Sequence, residues 1–84
     1  MGQLRDKMSG DLRLRGYRAT TIRKYLLFAR TFVGHFRRCP TTMGEPEVRA
    51  FLLYMLEEKR VAPSTLGTYV AALKFLYGVT LARP

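Results

Sequence analysis

Apolar residues recur at helical spacing in four blocks along this chain. Leu4, Met8 and Leu12 repeat every four residues, which predicts a helix over about residues 3–15. Gly16 follows, in the place of a helix C-terminal cap. Ile22, Tyr25, Leu26, Ala29, Phe32, Val33 and Phe36 mark a second amphipathic helix over about residues 20–38, with Cys39-Pro40 as its expected stop. Val48, Phe51, Leu52, Met55 and Leu56 predict a third over about residues 45–59. Its first turn holds Pro46, Glu45 and Glu47, and Lys59-Arg60 complement the opposite end of its dipole. Leu66, Val70, Leu73 and Tyr77, widened by Tyr69 and Leu76, predict a fourth over about residues 63–79. Pro63 suits its first turn, and Ser64 or Thr65 is expected to satisfy free N–H groups there. No block shows β alternation or an Asn-Gly turn, so the expected class is all-α, four helices with short loops.

A short echo joins two of these helices. Residues 19–25 (Ala-Thr-Thr-Ile-Arg-Lys-Tyr) and 63–69 (Pro-Ser-Thr-Leu-Gly-Thr-Tyr) share a small residue, two hydroxyls, an aliphatic and a closing tyrosine. Either two helix starts look alike by chance, or two helical hairpins present their second helices equivalently.

At 84 residues, 48% of them apolar, the chain is expected to be one folded domain, residues 1–84, with no room for a deep catalytic cleft. One cysteine, Cys39, excludes an internal disulfide, and with His35 as the only histidine no zinc site is expected. No cofactor and no small-molecule substrate are implied. No apolar run approaches the ~18 residues of a membrane span, and no signal-peptide core opens the chain, so an intracellular protein without a membrane partner is expected.

Charge changes the picture more. Fifteen Lys and Arg face six Asp and Glu, a net +9 that points to a polyanion. Residues 1–38 carry ten bases and two acids, so nearly all of the excess lies on the first two helices. At about 100° per residue, Arg23, Arg30 and Arg37 fall within roughly 40° of one another, opposite Tyr25, Phe32 and Phe36. Thr20 and Arg38 flank that line, and Lys24 stands further round. A solvated face normally mixes signs, whereas phosphate binding explains an acid-free face. On the fourth helix, Ser64, Gly67, Thr68, Ala71 and Gly78 form a small-residue side. It suits either close helix packing or close approach to a DNA backbone, with Ser64, Thr65 and Thr68 bonding phosphates.

Catalytic chemistry is missing. The five tyrosines sit mostly on apolar stripes, and a tyrosine nucleophile needs Arg and His around the same phosphorus. His35 reads as a surface residue and Cys39 as an incidental thiol.

The order of the residues resembles a known family. Asp11-Leu12-Arg13-Leu14-Arg15-Gly16-Tyr17, then Thr21-Ile22-Arg23-Lys24-Tyr25, looks like the opening of tyrosine recombinases, the phage integrase family. Val48-Arg49-Ala50-Phe51-Leu52, Val61-Ala62-Pro63-Ser64-Thr65-Leu66 and Ala72-Leu73-Lys74-Phe75-Leu76-Tyr77 resemble its third and fourth helices. The resemblance implies the N-terminal core-binding domain, a four-helix SAM-like bundle of two helical hairpins. Arg18-Ala19 and Ala62 depart from the family's Ser-Pro and Ser at the two helix starts, leaving Thr20 and Ser64 as the nearest substitute caps.

What the resemblance implies about function is a non-catalytic DNA-binding module. Its catalytic domain, with the Arg, Lys, His and Tyr that cut and rejoin DNA, is absent from this chain. Double-stranded DNA is the expected partner, with the catalytic domain of the same parent chain and other recombinase protomers in a synaptic assembly. The expected place is the bacterial cytoplasm or nucleoid. Arg18, Thr20, Thr21, Arg23, Lys24, Arg30 and Arg37 are expected to contact DNA on one side, and Ser64, Thr65, Thr68 and Lys74 on the other. A stand-alone helix-turn-helix regulator and a SAM-like protein-interaction module are the alternatives.

Overall fold

The computed structural model describes residues 2–82. It contains four α-helices: α1 (Gly2–Leu14), α2 (Ala19–Phe36), α3 (Glu45–Glu57) and α4 (Pro63–Phe75). A 3-10 turn (Pro40–Thr42) separates α2 from α3, and α4 continues into a π-helical turn (Leu76–Thr80). No strand occurs among the described residues, so the expected all-α bundle is the observed architecture. α1 packs on α2 and α3 on α4, giving two hairpins, and the most extensive contact, α2 with α4, joins them.

The glycine cap predicted after α1 is formed. Gly16 has φ +78°, the Gly16 N–H donates to the Arg13 carbonyl at 3.0 Å, and the Tyr17 N–H donates to the Leu12 carbonyl at 3.2 Å. These two bonds satisfy carbonyls that the helix end leaves free. They also turn Tyr17 inward, 5.6 Å from the Tyr25 ring and 5.7 Å from Phe75.

α2 stops earlier than the proline signal predicts. Arg37 takes the left-handed conformation (φ 52°, ψ 42°) while its N–H still reaches the Val33 carbonyl at 2.8 Å. The chain has to reverse into the 3-10 turn, whose Pro40 is buried, and the left-handed residue makes that turn before the proline is reached. Arg38 then donates to the Thr42 carbonyl and sits 3.7 Å from the Glu47 carboxylate. Glu47 in turn accepts the Gly44 N–H at 2.7 Å, closing the first turn of α3. α3 ends at Glu57, so Lys59 and Arg60 lie past the helix, not in its last turn.

The expected hydroxyl caps are not made. α2 and α4 both start after an extended residue, Arg18 (φ −71°, ψ 153°) and Ala62 (φ −62°, ψ 151°), and no side chain caps either end. An N-cap acceptor works from the N-cap position itself. Thr20, Ser64 and Thr65 lie two or three residues past it, inside the helices. The sequence echo has a structural counterpart in these matching starts, each followed by an inward tyrosine: Tyr25 half-buried and Tyr69 buried.

The core gathers Met8 and Leu12 of α1, Ile22, Leu26, Ala29 and Phe32 of α2, Phe51 and Met55 of α3, Tyr69, Leu73 and Phe75 of α4, Leu76 after it, and Met43 from the loop. Phe32 sits at its centre, with Phe51, Phe36 and Tyr77 rings at 5.4, 5.6 and 6.2 Å. Two long-range bonds fix the π-helical turn. The Tyr77 hydroxyl donates to the Pro40 carbonyl at 2.9 Å, and Lys7 Nζ donates to the Thr80 carbonyl at 2.7 Å. No helix among the described residues is long and apolar enough to cross a membrane.

Candidate nucleic-acid interface

The outward face of α2 is built by the helix that buries Ile22, Leu26, Ala29 and Phe32 on its other side. Thr20, Arg23, Lys24 and Arg30 are all exposed. By the helical repeat, Arg30, Arg23, Gly34, Leu27 and Thr20 fall within about 80°, and Thr31 and Lys24 extend that arc to about 120°. No Asp or Glu occurs anywhere between Asp11 and Glu45, so no acid of this segment neutralises the face. The free ends of two Arg and one Lys stand ready for charge-assisted bonds to anionic oxygens.

Two expected members stand apart. Arg37 lies one residue past the helix in its left-handed turn, so the line from Arg23 continues to Arg30 but not along the same helix to Arg37. Arg37 instead borders a recess with Gln3, Leu4, Val33, Arg38 and Pro40. Thr21 is half-buried, and the helical repeat turns it about 160° from Arg23. Arg18 is exposed at the α2 entrance.

On α4, Ser64 is exposed and Thr65 and Thr68 are half-buried at the first two turns. The Thr68 hydroxyl donates to the Ser64 carbonyl at 3.1 Å. A phosphate accepts only, so Thr68 can serve one only by releasing that internal bond. Lys74 is not with this group. It lies about 15 Å further along the helix than Ser64. There it borders a groove of about 600 Å³ between α3 and α4, with Glu45, Val48, Leu52, Val70 and Tyr77. That groove is mostly apolar and carries one base and one acid, unlike the α2 face. The Phe28–Tyr69 stack locks the two expected surfaces together, since Phe28 follows Leu27 in the chain and Tyr69 follows Thr68.

The apolar stripe does not mark Leu27 as a site residue, yet the sequence carries a signal for it. Leu27 and Phe28 are the large apolar residues of α2 off the core stripe; Phe28 stacks on Tyr69, whereas Leu27 is 56% exposed in the middle of the cationic arc.

The remaining chemistry is structural. Burial, and next the neighbouring Tyr17, push the Tyr25 hydroxyl above its ordinary value, which disfavours it as a nucleophile at neutral pH. His35 is exposed but ringed by Tyr54, Phe36 and Phe51 at 4.6, 4.8 and 5.3 Å. The exposed Cys39 thiol is drawn below its ordinary value by hydrogen bonding to Thr41, with Sγ 3.0 Å from the Thr41 hydroxyl.

Comparison with known proteins gives this surface its context. Residues 4–84 match the family model described as the phage integrase N-terminal SAM-like domain. The y4qK protein of Sinorhizobium fredii, which carries an integrase/recombinase name, is 35% identical over 83 residues, 99% of this chain and 27% of its own length. Integrase/recombinase proteins of Escherichia coli and Pseudomonas aeruginosa are each 37% identical over 77 residues, 90% of this chain and 23% of theirs. The chain thus spans about a quarter of the length of these curated relatives.

Proposed function

The chain belongs to the family of phage integrase N-terminal SAM-like domains, and on that premise we propose that it is the DNA-clamping module of a site-specific tyrosine recombinase. Its task is to hold duplex DNA at the recombination site. Strand cleavage and rejoining belong to a separate C-terminal domain of the parent protein. The module works in the bacterial cytoplasm, beside other protomers of a synaptic assembly.

The observation that carries the reading is the acid-free cationic face of α2, with Arg23, Lys24 and Arg30 exposed along it. Such a face binds phosphates on both sides of a groove and releases their counterions. Arg18 extends it at the α2 entrance, and Ser64 and Thr65 offer hydroxyl donors from the matching start of α4. The longest dimension of the domain, 34 Å, equals about one turn of B-form duplex, which suits a module that covers a half-site.

The test is duplex binding measured against salt concentration. Arg23→Ala and Lys24→Ala are each expected to weaken binding similarly on all sequences and to reduce the salt slope by about 0.9. An unchanged slope in both variants contradicts the assignment. Amide shifts on adding duplex should cluster on α2 and the start of α4. Shifts centred on residues 51–56 instead favour a protein-interaction role for the apolar groove.

A further inference from the structure

We propose that Leu27 reads sequence, lying against the 5-methyl groups of thymine in the major groove while the bases around it hold phosphates. This rests on the reading of α2 as the DNA-facing helix and goes beyond it by naming what the helix discriminates.

Among the described residues, the notably exposed large apolar side chains are Leu14, Leu27, Leu53 and Leu56. Leu53 and Leu56 have company, since they border one recess with Val48, Leu52 and Leu66. Leu14 is the last residue of α1. Along α2, Leu27 has no apolar neighbour one turn away on either side. One turn before it stands Arg23, and one turn after it stand Arg30 and Thr31. All other large apolar residues of α2 are buried or half-buried on the opposite side.

A helix about 10–12 Å across fits a major groove about 12 Å wide. Residues at the flanks of its outward face reach the phosphates, and the residue at the centre reaches the base edges. The long arginines suit the first task and the short leucine the second. The Thr31 hydroxyl does not compete for the same edges, because its proton is committed to the Leu27 carbonyl at 2.9 Å. Gly34, one turn further on, is exposed with open space around its Cα, so no side chain blocks the approach.

Leucine offers neither donor nor acceptor. Only thymine presents a methyl group on the major-groove edge. Against cytosine or guanine, Leu27 strips water from a polar edge and returns no hydrogen bond, which is unfavourable. The predicted preference is therefore for thymine at one base or two adjacent bases.

The experiment selects duplexes with a randomised ten-base-pair centre, at low salt, using the parent chain, Leu27→Ala and Leu27→Gln. Circular dichroism confirms that each variant folds. The parent is expected to enrich thymine at one or two positions, and both variants to lose that enrichment while retaining the mixed pool. Replacing the selected thymine by uracil should weaken parent binding about fourfold, the worth of one buried methyl group, and leave the Leu27→Ala chain unaffected. Retention of the pool without thymine enrichment, or equal enrichment by parent and variants, overturns the Leu27 assignment alone. Failure of the parent to retain any duplex overturns the underlying DNA-binding reading as well.

Discussion

Phe28 of α2 and Tyr69 of α4 stack face to face, with ring centroids 3.8 Å apart and planes 7° apart. The pair joins the two hairpins, and Tyr69 also meets Phe51 of α3 edge-on at 5.6 Å. Tyr69→Ala should therefore lose about 3–5 kcal/mol, the range for an aromatic removed from a core. Tyr69→Phe keeps both ring contacts and should stay within about 1 kcal/mol of the parent. Urea denaturation followed by circular dichroism separates the two; equal losses would show that the hydroxyl matters more than the stack.

Of the helix ends with positive φ, those at Gly16 and Arg37 predict opposite responses. Gly16 (φ +78°) tolerates the left-handed turn without a Cβ, so Gly16→Ala should destabilise by about 1–2 kcal/mol. Arg37 adopts the same region with a full side chain (φ 52°), so Arg37→Gly should stabilise by up to about 1 kcal/mol. Thermal midpoints measured side by side give the signs, a kilocalorie corresponding to about 4–8 °C in a domain of this size.

Glu47 makes stability depend on acid pH. Its hydrogen bond from the Gly44 N–H, helped by Arg38, holds its carboxyl below the ordinary value of 4.5. A depressed folded pKa contributes stability that is present above the unfolded value and is lost as pH falls through the folded one. The parent should lose more thermal stability than Glu47→Gln as pH is lowered from 4.5, and the gap between them should narrow. A gap that stays constant over that range would remove Glu47 from the account.

Thr80 presents a buried hydroxyl, 3% exposed as a residue, with no hydrogen-bond partner among the described residues. Thr80→Val replaces it with a near-equal volume and should stabilise by up to about 1 kcal/mol. Lys7→Met, which removes the donor to the Thr80 carbonyl, should cost about 1 kcal/mol, since Lys7 is more than half exposed. Amide exchange at Leu81, whose N–H bonds the Leu76 carbonyl at 2.8 Å, should quicken in Lys7→Met and slow in Thr80→Val.

Periodicity made the four helices legible, because each buries a stripe that recurs at 3–4 residues; Ile22, Leu26, Ala29 and Phe32 show it most plainly. Gly16 was legible as a cap because only glycine enters that conformation freely. Arg37 was not, since a left-handed arginine is imposed by the reversal into Pro40 and leaves no local mark. The cationic face of Arg23 and Arg30 could be read from spacing and charge. Lys74 could not be assigned to the α3–α4 groove, because its neighbours there, Glu45 and Val48, come from a distant part of the chain. Leu27 could have been singled out as an apolar residue off the stripe, but only the structure shows that it stays more than half exposed.

The Lys7–Thr80 bond joins residues 73 positions apart. During synthesis α1 and α2 leave the ribosome before the residue whose carbonyl Lys7 holds. The first helix can pack on α2 as soon as both are made, but its contact with the π-helical turn waits until that turn emerges. Closure of the domain becomes a late event that reports the arrival of its own C-terminal end. Any polypeptide that follows would begin to emerge just as the clamp becomes complete.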